Sequence, residues 1–159
     1  MPGGLRLDDY SLATRISFLL WDAPPDAELL DAAANGNLFT PEGVQARIEM
    51  KPELVGHFAY NRIHGGVISA VLDAIGSAAV MAAIAAKHMD EPPAKRLERF
   101  GKLGTIDLRI DYLRPGIGEF FTIHAEALRV GSRVGTSRME FRGPDGTLMS
   151  AGAAAYIVS

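Results

Sequence analysis

Cysteine is missing from this chain altogether. That excludes disulfides, thiolate nucleophiles and cysteine metal ligands together. A basic excess is missing too: 19 acidic residues against 16 lysines and arginines leave a formal net charge of −3. A nucleic-acid surface needs a basic footprint, so no nucleic-acid partner is expected. The opening residues, MPGGLRLDDYSL, hold no basic stretch followed by an apolar one. No secretory signal is therefore expected, and the expected compartment is the cytoplasm. Internal repeats and low-complexity linkers are absent as well. His88 and His124 lack the partner spacing of a metal site, and neither a metal nor a cofactor is expected.

What is present fits one domain: 159 residues, 48% hydrophobic and 22% charged, make a soluble globular chain with a real core. The stretch NRIHGGVISAVLDAIGSAAVMAAIAA, residues 61–86, organises the rest. From 67 to 86 it is apolar or small almost throughout, and Asp73 is its only charge. A helix apolar on all sides is expected to be buried on all sides, with the remaining chain wrapped round it. A membrane span is rejected, because an aspartate at that depth costs roughly 2.5–3.5 kcal/mol and the remainder is alanine and glycine rather than leucine. Gly65-Gly66 stands just before the run. Two glycines there allow a sharp turn and close approach by another molecule. A helix starting at that point presents unpaired N–H groups and the positive end of its dipole, a site for an oxygen bearing negative charge.

Asp73 lies seven positions after Gly66, about two turns on, so the two share a helix face with Ser69, Ala70, Gly76 and Ser77. An ionised carboxylate is costly to bury without a partner. Two readings stay open on these residues: a reaction site in a groove of small side chains, or a tight loop with Asp73 bonded to a neighbouring backbone.

In chain order, residues 8–21 and 26–34 read as two helices, separated by Asp22-Ala23-Pro24-Pro25, forming an N-terminal helical extension over residues 1–42. Residues 44–50, VQARIEM, alternate as a half-buried strand with Val44, Ala46, Ile48 and Met50 on one face. Residues 53–63 form an irregular approach to the helix. The segment 88–102, HMDEPPAKRLERFGK, reads as a polar loop whose Lys95, Arg96, Arg99 and Lys102 are either solvated or available to ligand phosphates. TIDLRIDYL, 105–113, is the clearest strand: Ile106, Leu108, Ile110 and Tyr112 on one face, Thr105, Asp107, Arg109 and Asp111 on the other. Strands at 119–130, 134–142 and 147–158 follow, separated by Gly131-Ser132 and by Gly143-Pro144-Asp145-Gly146, a strong turn signal. Short turns imply antiparallel neighbours. The expected fold class is α+β, a long central helix wrapped by a curved antiparallel sheet of about five to six strands.

That layout and its motifs resemble the hotdog-fold acyl-CoA thioesterases, in particular the phenylacetate-pathway (PaaI-like) branch. The likeness is carried by Ile63-His64-Gly65-Gly66-Val67, by Asp73 nine positions after His64, by DLRIDYLRPG at 107–116, and by the turns at Gly131-Ser132-Arg133 and Asp145-Gly146. It covers roughly residues 44–158, so a hotdog domain is expected over 43–159. The resemblance implies hydrolysis of an acyl- or aryl-acyl-CoA thioester in a homodimer, possible pairing of dimers into a tetramer being left open. Coenzyme A is then part of the substrate. The backbone N–H of Gly65 or Gly66 would hold the carbonyl oxygen. Asp73 would act as nucleophile or general base, facing the His64-Gly65-Gly66 turn of a partner chain. Thr105 falls where the family often has a Ser or Thr near the attacking water. Arg114 and Arg133 are the candidates for coenzyme A phosphates. His64 marks the motif, and its expected role is positional.

One departure is visible. Many relatives carry an asparagine six or seven positions before the motif histidine, where this chain has Phe58 and His57; Asn61 stands three before. His57 or Asn61 is the candidate substitute. Phe18, Trp21, Phe58 and Tyr60 hint at an apolar pocket wall, while the acyl chain itself is not legible. Two alternatives are carried. A hotdog dehydratase or hydratase would use His57 with a helix glutamate, whose place falls on Val71; Asp73 points about 200° away from it. A non-catalytic acyl-binding dimer is the other.

Overall fold

The computed structural model describes residues 39–40, 43–88 and 90–158. The helices expected at 8–21 and 26–34, and with them Phe18 and Trp21, lie outside the described residues. The chain forms strands β1 (Phe39–Thr40), β2 (Gly43–Glu49), β3 (Val55–His57) and β4 (Arg62–Ile63), then helices α1 (Gly65–Lys87) and α2 (Pro93–Phe100). Four long strands follow: β5 (Gly104–Tyr112), β6 (Phe120–Val130), β7 (Val134–Arg142) and β8 (Leu148–Ile157). Six strands make one antiparallel sheet in the order β1-β2-β6-β7-β8-β5, and β3 and β4 pair separately. The expected order of strand, long helix and four strands is thus the order found. The turn between β7 and β8 is built as its residues demand: Gly146 sits at φ 79°, and Asp145 accepts from the backbone N–H and hydroxyl of Thr147 at 2.9 and 2.8 Å.

Alternation sets which face of the sheet meets α1. Val44 is buried and Gln45, Arg47 and Glu49 are exposed, as a half-buried strand requires. Val44, Phe121, Ile123, Met139, Phe141 and Tyr156 close on Ile68, Leu72, Ile75, Val80 and Ile84 of α1. Phe121 and Phe141 stack at 4.9 Å between ring centroids. Fully burying side chains of this size is worth about 1.5–3 kcal/mol each, so this layer carries the fold. Gly76 lets the helix come close: a Cβ there would lie 2.5 Å from the Tyr156 hydroxyl and 2.8 Å from Ser137 Oγ.

Three expectations need correction. First, α1 is not buried on all sides. It is long and apolar enough to cross a membrane, yet the sheet covers one side of it, leaving Ala70 exposed and Asp73, Ala74, Ser77 and Met81 half-buried. Apart from Met81 these uncovered residues are small, so little apolar area is left per residue. Second, the polar segment 88–102 is not a loop, because Pro93–Phe100 forms α2. Proline at the first helical position has its φ already set for the helix. Glu91, just before it, pairs with Arg99 at 2.6 Å and Lys95 at 3.6 Å. Those two cations therefore face a carboxylate.

Third, β5 does not alternate from end to end. Thr105 pairs with Tyr156 and Asp107 with Ala155, so Ile106 is an extra residue. This is a β-bulge, which re-aims the side chains beside it. Ile106 turns out to 58% exposure, and Thr105 turns in toward α1, opposite to the face its spacing predicted.

Tyr156 ties β8 to the helix by donating its hydroxyl to the Asp73 carbonyl at 3.2 Å. Burial pushes that phenol up to about 12. An unfolded tyrosine titrates near 10, so the folded form holds its proton more tightly. This contribution to stability is complete below about pH 10 and is lost as pH rises toward about 12. Denaturation across that window should show stability falling with pH, and Tyr156→Phe should flatten the fall. An unchanged slope in the variant would contradict the assignment.

Candidate active site

The approach to α1 is fixed by backbone bonds. Ile63 N–H donates to Gly116 O at 2.9 Å and His64 N–H to Leu54 O at 2.8 Å. His64 is the N-cap, in extended conformation at φ −66° and ψ 134°. Its carbonyl accepts from Val67 and Ile68 at 3.0 and 3.2 Å. Its ring nitrogen Nδ1 accepts from Gly66 N–H at 2.8 Å, doing with an imidazole what Ser or Asp usually does at such a position. A Cβ on Gly66 would lie 2.9 Å from that same nitrogen, which accounts for glycine there. The sequence left two donors open for a ligand oxygen. The structure separates them: Gly66 N–H is engaged by His64, while Gly65 N–H has no acceptor among the described residues.

The Gly65 carbonyl is held from outside the helix. Tyr112, at the end of β5, donates its hydroxyl to Gly65 O at 2.9 Å. Ser69 Oγ reaches the same oxygen at 3.0 Å and the Tyr112 hydroxyl at 2.5 Å. Sequence reasoning placed Tyr112 on a strand face and Ser69 in the groove of small residues, but gave neither a role. No local spacing signals that the end of β5 lies over the start of α1.

Further along α1, the half-buried Asp73 receives a hydrogen bond at Oδ1 from Thr105 Oγ1, at 2.9 Å. The bulge in β5 makes that contact. Oδ2 has no hydrogen-bond partner among the described residues, and no cation there pairs with Asp73. This is a carboxylate oriented through one oxygen and open at the other. The two features lie on one rigid helix eight positions apart, so Gly65 and Asp73 are separated by about 12 Å along its axis.

The remaining candidates are spread more widely. Asn61 adopts φ 46° and closes the turn Phe58–Tyr60, a left-handed conformation asparagine tolerates; among the described residues its side chain has no hydrogen-bond partner. The His57 ring packs on Phe58 and Tyr60 at 5.9 and 4.9 Å. No carboxylate among the described residues pairs with it. Phe58 is 92% exposed. Val71, the helix position a dehydratase would need for its acid, lines an apolar cleft with Ala46, Ile48, Ile75 and Ile123. Arg114 is exposed and donates to Leu148 O at 2.9 Å. Arg133 is exposed in the turn before β7. Neither arginine makes a hydrogen bond or ion pair with Asp73 or Gly65. Among the described residues no group of His, Asp and Glu has metal-site geometry.

A curved antiparallel sheet around one helix, with a carboxylate on the helix and a glycine turn at its start, defines a hotdog-fold protein. The thioesterase superfamily model matches residues 60–150, and the chain belongs to that family. A second model, of a protein of unknown function, matches residues 7–50. The chain is similar to the medium/long-chain acyl-CoA thioesterase YigI of Escherichia coli K12, 33% identical over 120 residues that cover 76% of this chain and 77% of that protein. YigI of Salmonella typhimurium is 34% identical over 114 residues, covering 72% and 74%. A crystal structure from Shewanella oneidensis, related to the thioesterase superfamily, superposes with a TM-score of 0.76 at 33% identity, covering 95% of this chain and 97% of that one. A Haemophilus influenzae thioesterase at 17% identity and TM-score 0.59 covers 87% and 93%, and shares the fold.

The histidine cap predicts a stability effect separable from chemistry. His64→Ala leaves Gly66 N–H without its acceptor and should lower unfolding free energy by about 0.5–2 kcal/mol, with His64→Asn recovering most of the loss. Chemical denaturation of the three chains reads this out, and equal stability of all three would remove His64 as the cap.

Proposed function

We propose that this chain hydrolyses the thioester of a medium- to long-chain acyl-CoA. The single observation carrying the reading is a pair of groups on α1 that have no partner among the described residues: Oδ2 of a Thr105-oriented Asp73 and the Gly65 N–H. The family and the substrate class of the YigI relatives support it. In the proposed reaction the thioester oxygen receives Gly65 N–H, which stabilises the negative charge that develops there. Asp73 Oδ2 takes a proton from water, and the hydroxide adds to the carbonyl carbon. The tetrahedral intermediate collapses, the C–S bond breaks, and the proton held by Asp73 passes to the departing thiolate. The products are a free acid and coenzyme A. Direct attack by Asp73, giving an anhydride that water then opens, uses the same residues.

One carbonyl group cannot lie within bonding distance of both groups on a single helix when they stand about 12 Å apart. The proposal therefore includes a homodimer in which Asp73 of one chain faces Gly65 of the other. β5 supports this reading: it is an edge of the six-stranded sheet, with Thr105 at one end and Tyr112 at the other. Two copies of β5 paired antiparallel about a two-fold axis would set each Thr105 end beside the other chain's Tyr112 end. Such pairing would also cover an edge that has no strand partner among the described residues. Arg114 and Arg133 are carried as the coenzyme A phosphate ligands, and residues 1–42 as an extension to the domain beginning at 43. A cytoplasmic setting belongs to the same proposal.

The test is thiol release from a panel of straight-chain and aryl acyl-CoAs, together with loss of enoyl-CoA absorbance. Thiol release from medium and long chains is expected, and Asp73→Asn should lower it at least about a hundredfold, the usual size of a general-base effect. Thiol release unaltered in Asp73→Asn would take that carboxylate out of the chemistry, and hydration of enoyl-CoA would favour the dehydratase alternative.

A further inference from the structure

We propose that Tyr112, backed by Ser69, is a positioning residue for the Gly65 amide: it clamps the first turn of α1 so that Gly65 N–H stays aimed at the substrate oxygen. The inference rests on the oxyanion role proposed above for Gly65. Three oxygens meet here, with Tyr112 Oη at 2.9 Å and Ser69 Oγ at 3.0 Å from Gly65 O, and 2.5 Å from each other. Two hydroxyl protons serve these three contacts. If one proton lies in the Tyr112–Ser69 contact, the other remains for the Gly65 carbonyl.

The neighbouring bonds show what the clamp controls. The Gly65–Gly66 peptide is gripped at its carbonyl by Tyr112 and Ser69 and at its N–H by His64 Nδ1. The Tyr112 ring closes the remaining side, 3.4 Å from where a Gly65 Cβ would stand. A pair of glycines at a helix start has no side chains to restrain it, and terminal turns fray. Oxyanion donors work because they are fixed before the charge develops. Tyr112 is 53% exposed, so the contact lies at the protein surface and contributes about 0.5–1.5 kcal/mol at most to folding. Its strand is also the one that orients Asp73 through Thr105, so in the proposed dimer the two copies of β5 together hold both halves of each site.

The experiment measures kcat and KM for thiol release from a medium-chain acyl-CoA, with melting temperature, on the full chain. The variants are Tyr112→Phe, Ser69→Ala, the two combined, and Gly65→Pro with and without Tyr112→Phe. Proline suits the first helical position and replaces the amide hydrogen with a ring carbon. Tyr112→Phe should lower kcat about tenfold with KM within about twofold, the double variant about a hundredfold, and Gly65→Pro about a hundredfold, all with nearly unchanged melting. In the Gly65→Pro background Tyr112→Phe should cost nothing further, since the hydroxyl acts through that amide. Normal kcat in Tyr112→Phe and the double variant, with Gly65→Pro impaired, would overturn the clamp and leave the proposed function standing. Equal losses from Tyr112→Phe in both backgrounds would assign it a role unconnected with Gly65. Full activity in Gly65→Pro would overturn the oxyanion reading and the clamp with it.

Discussion

The rise of an α-helix governs the design of this molecule. Among the described residues, α1 carries an unengaged amide at its first residue and a half-open carboxylate at its ninth, and the helix is too stiff to bring them together. A separation of about 12 Å is several times what a single carbonyl group can bridge. Either the two groups serve different ends, or each works with the corresponding group of a second chain. The second possibility is the one the proposed chemistry requires. It makes the edge strand β5, rather than the helix itself, the element that decides whether a site exists.

β5 is suited to that task by irregularity at one end and reach at the other. The bulge at Ile106 turns Thr105 onto Asp73. Tyr112 reaches across to the start of α1. Thr105 and Tyr112 are both exposed, and a hydrogen bond made there contributes about 0.5–1.5 kcal/mol at most to folding. The buried layer of Leu72, Ile75, Phe121, Phe141 and Tyr156 holds the fold without them. Stability and proposed activity are therefore assigned to separate groups: apolar contacts set the position of the helix, and a few exposed hydroxyls set the orientation of its two polar features. Tyr156 belongs to the first set and adds a bond from its buried hydroxyl to the Asp73 main-chain carbonyl.

Much of this was legible in the residues. Alternation in VQARIEM gave the faces of β2, since period-two patterning is a direct image of a sheet with one buried side. The apolar run after Gly65-Gly66 gave α1, and Gly131-Ser132 and Gly143-Pro144-Asp145-Gly146 gave the turns. What was not legible has a common cause. A bulge adds one residue without altering composition, so TIDLRIDYL read as unbroken alternation and Thr105 was assigned to the wrong face. HMDEPPAKRLERFGK looked like a loop because two prolines and many charges outweighed a helix that proline itself begins. The grip of Tyr112 on Gly65 joins positions 47 apart, and long-range register leaves no local mark. The His64 cap could have been suspected, as an acceptor two positions before a helical glycine, but histidine is a rarer cap than serine or aspartate.

The claim that the site is shared between two chains is tested most directly by mixing two inactive proteins, one carrying Asp73→Asn and the other Gly65→Pro. After the chains exchange, half the dimers are mixed, and each has one site with both defects and one with neither. The account predicts recovery to about a quarter of wild-type turnover in an equal mixture. Exchange is confirmed by co-purification of differently tagged chains. Confirmed exchange with no recovery of activity would contradict it.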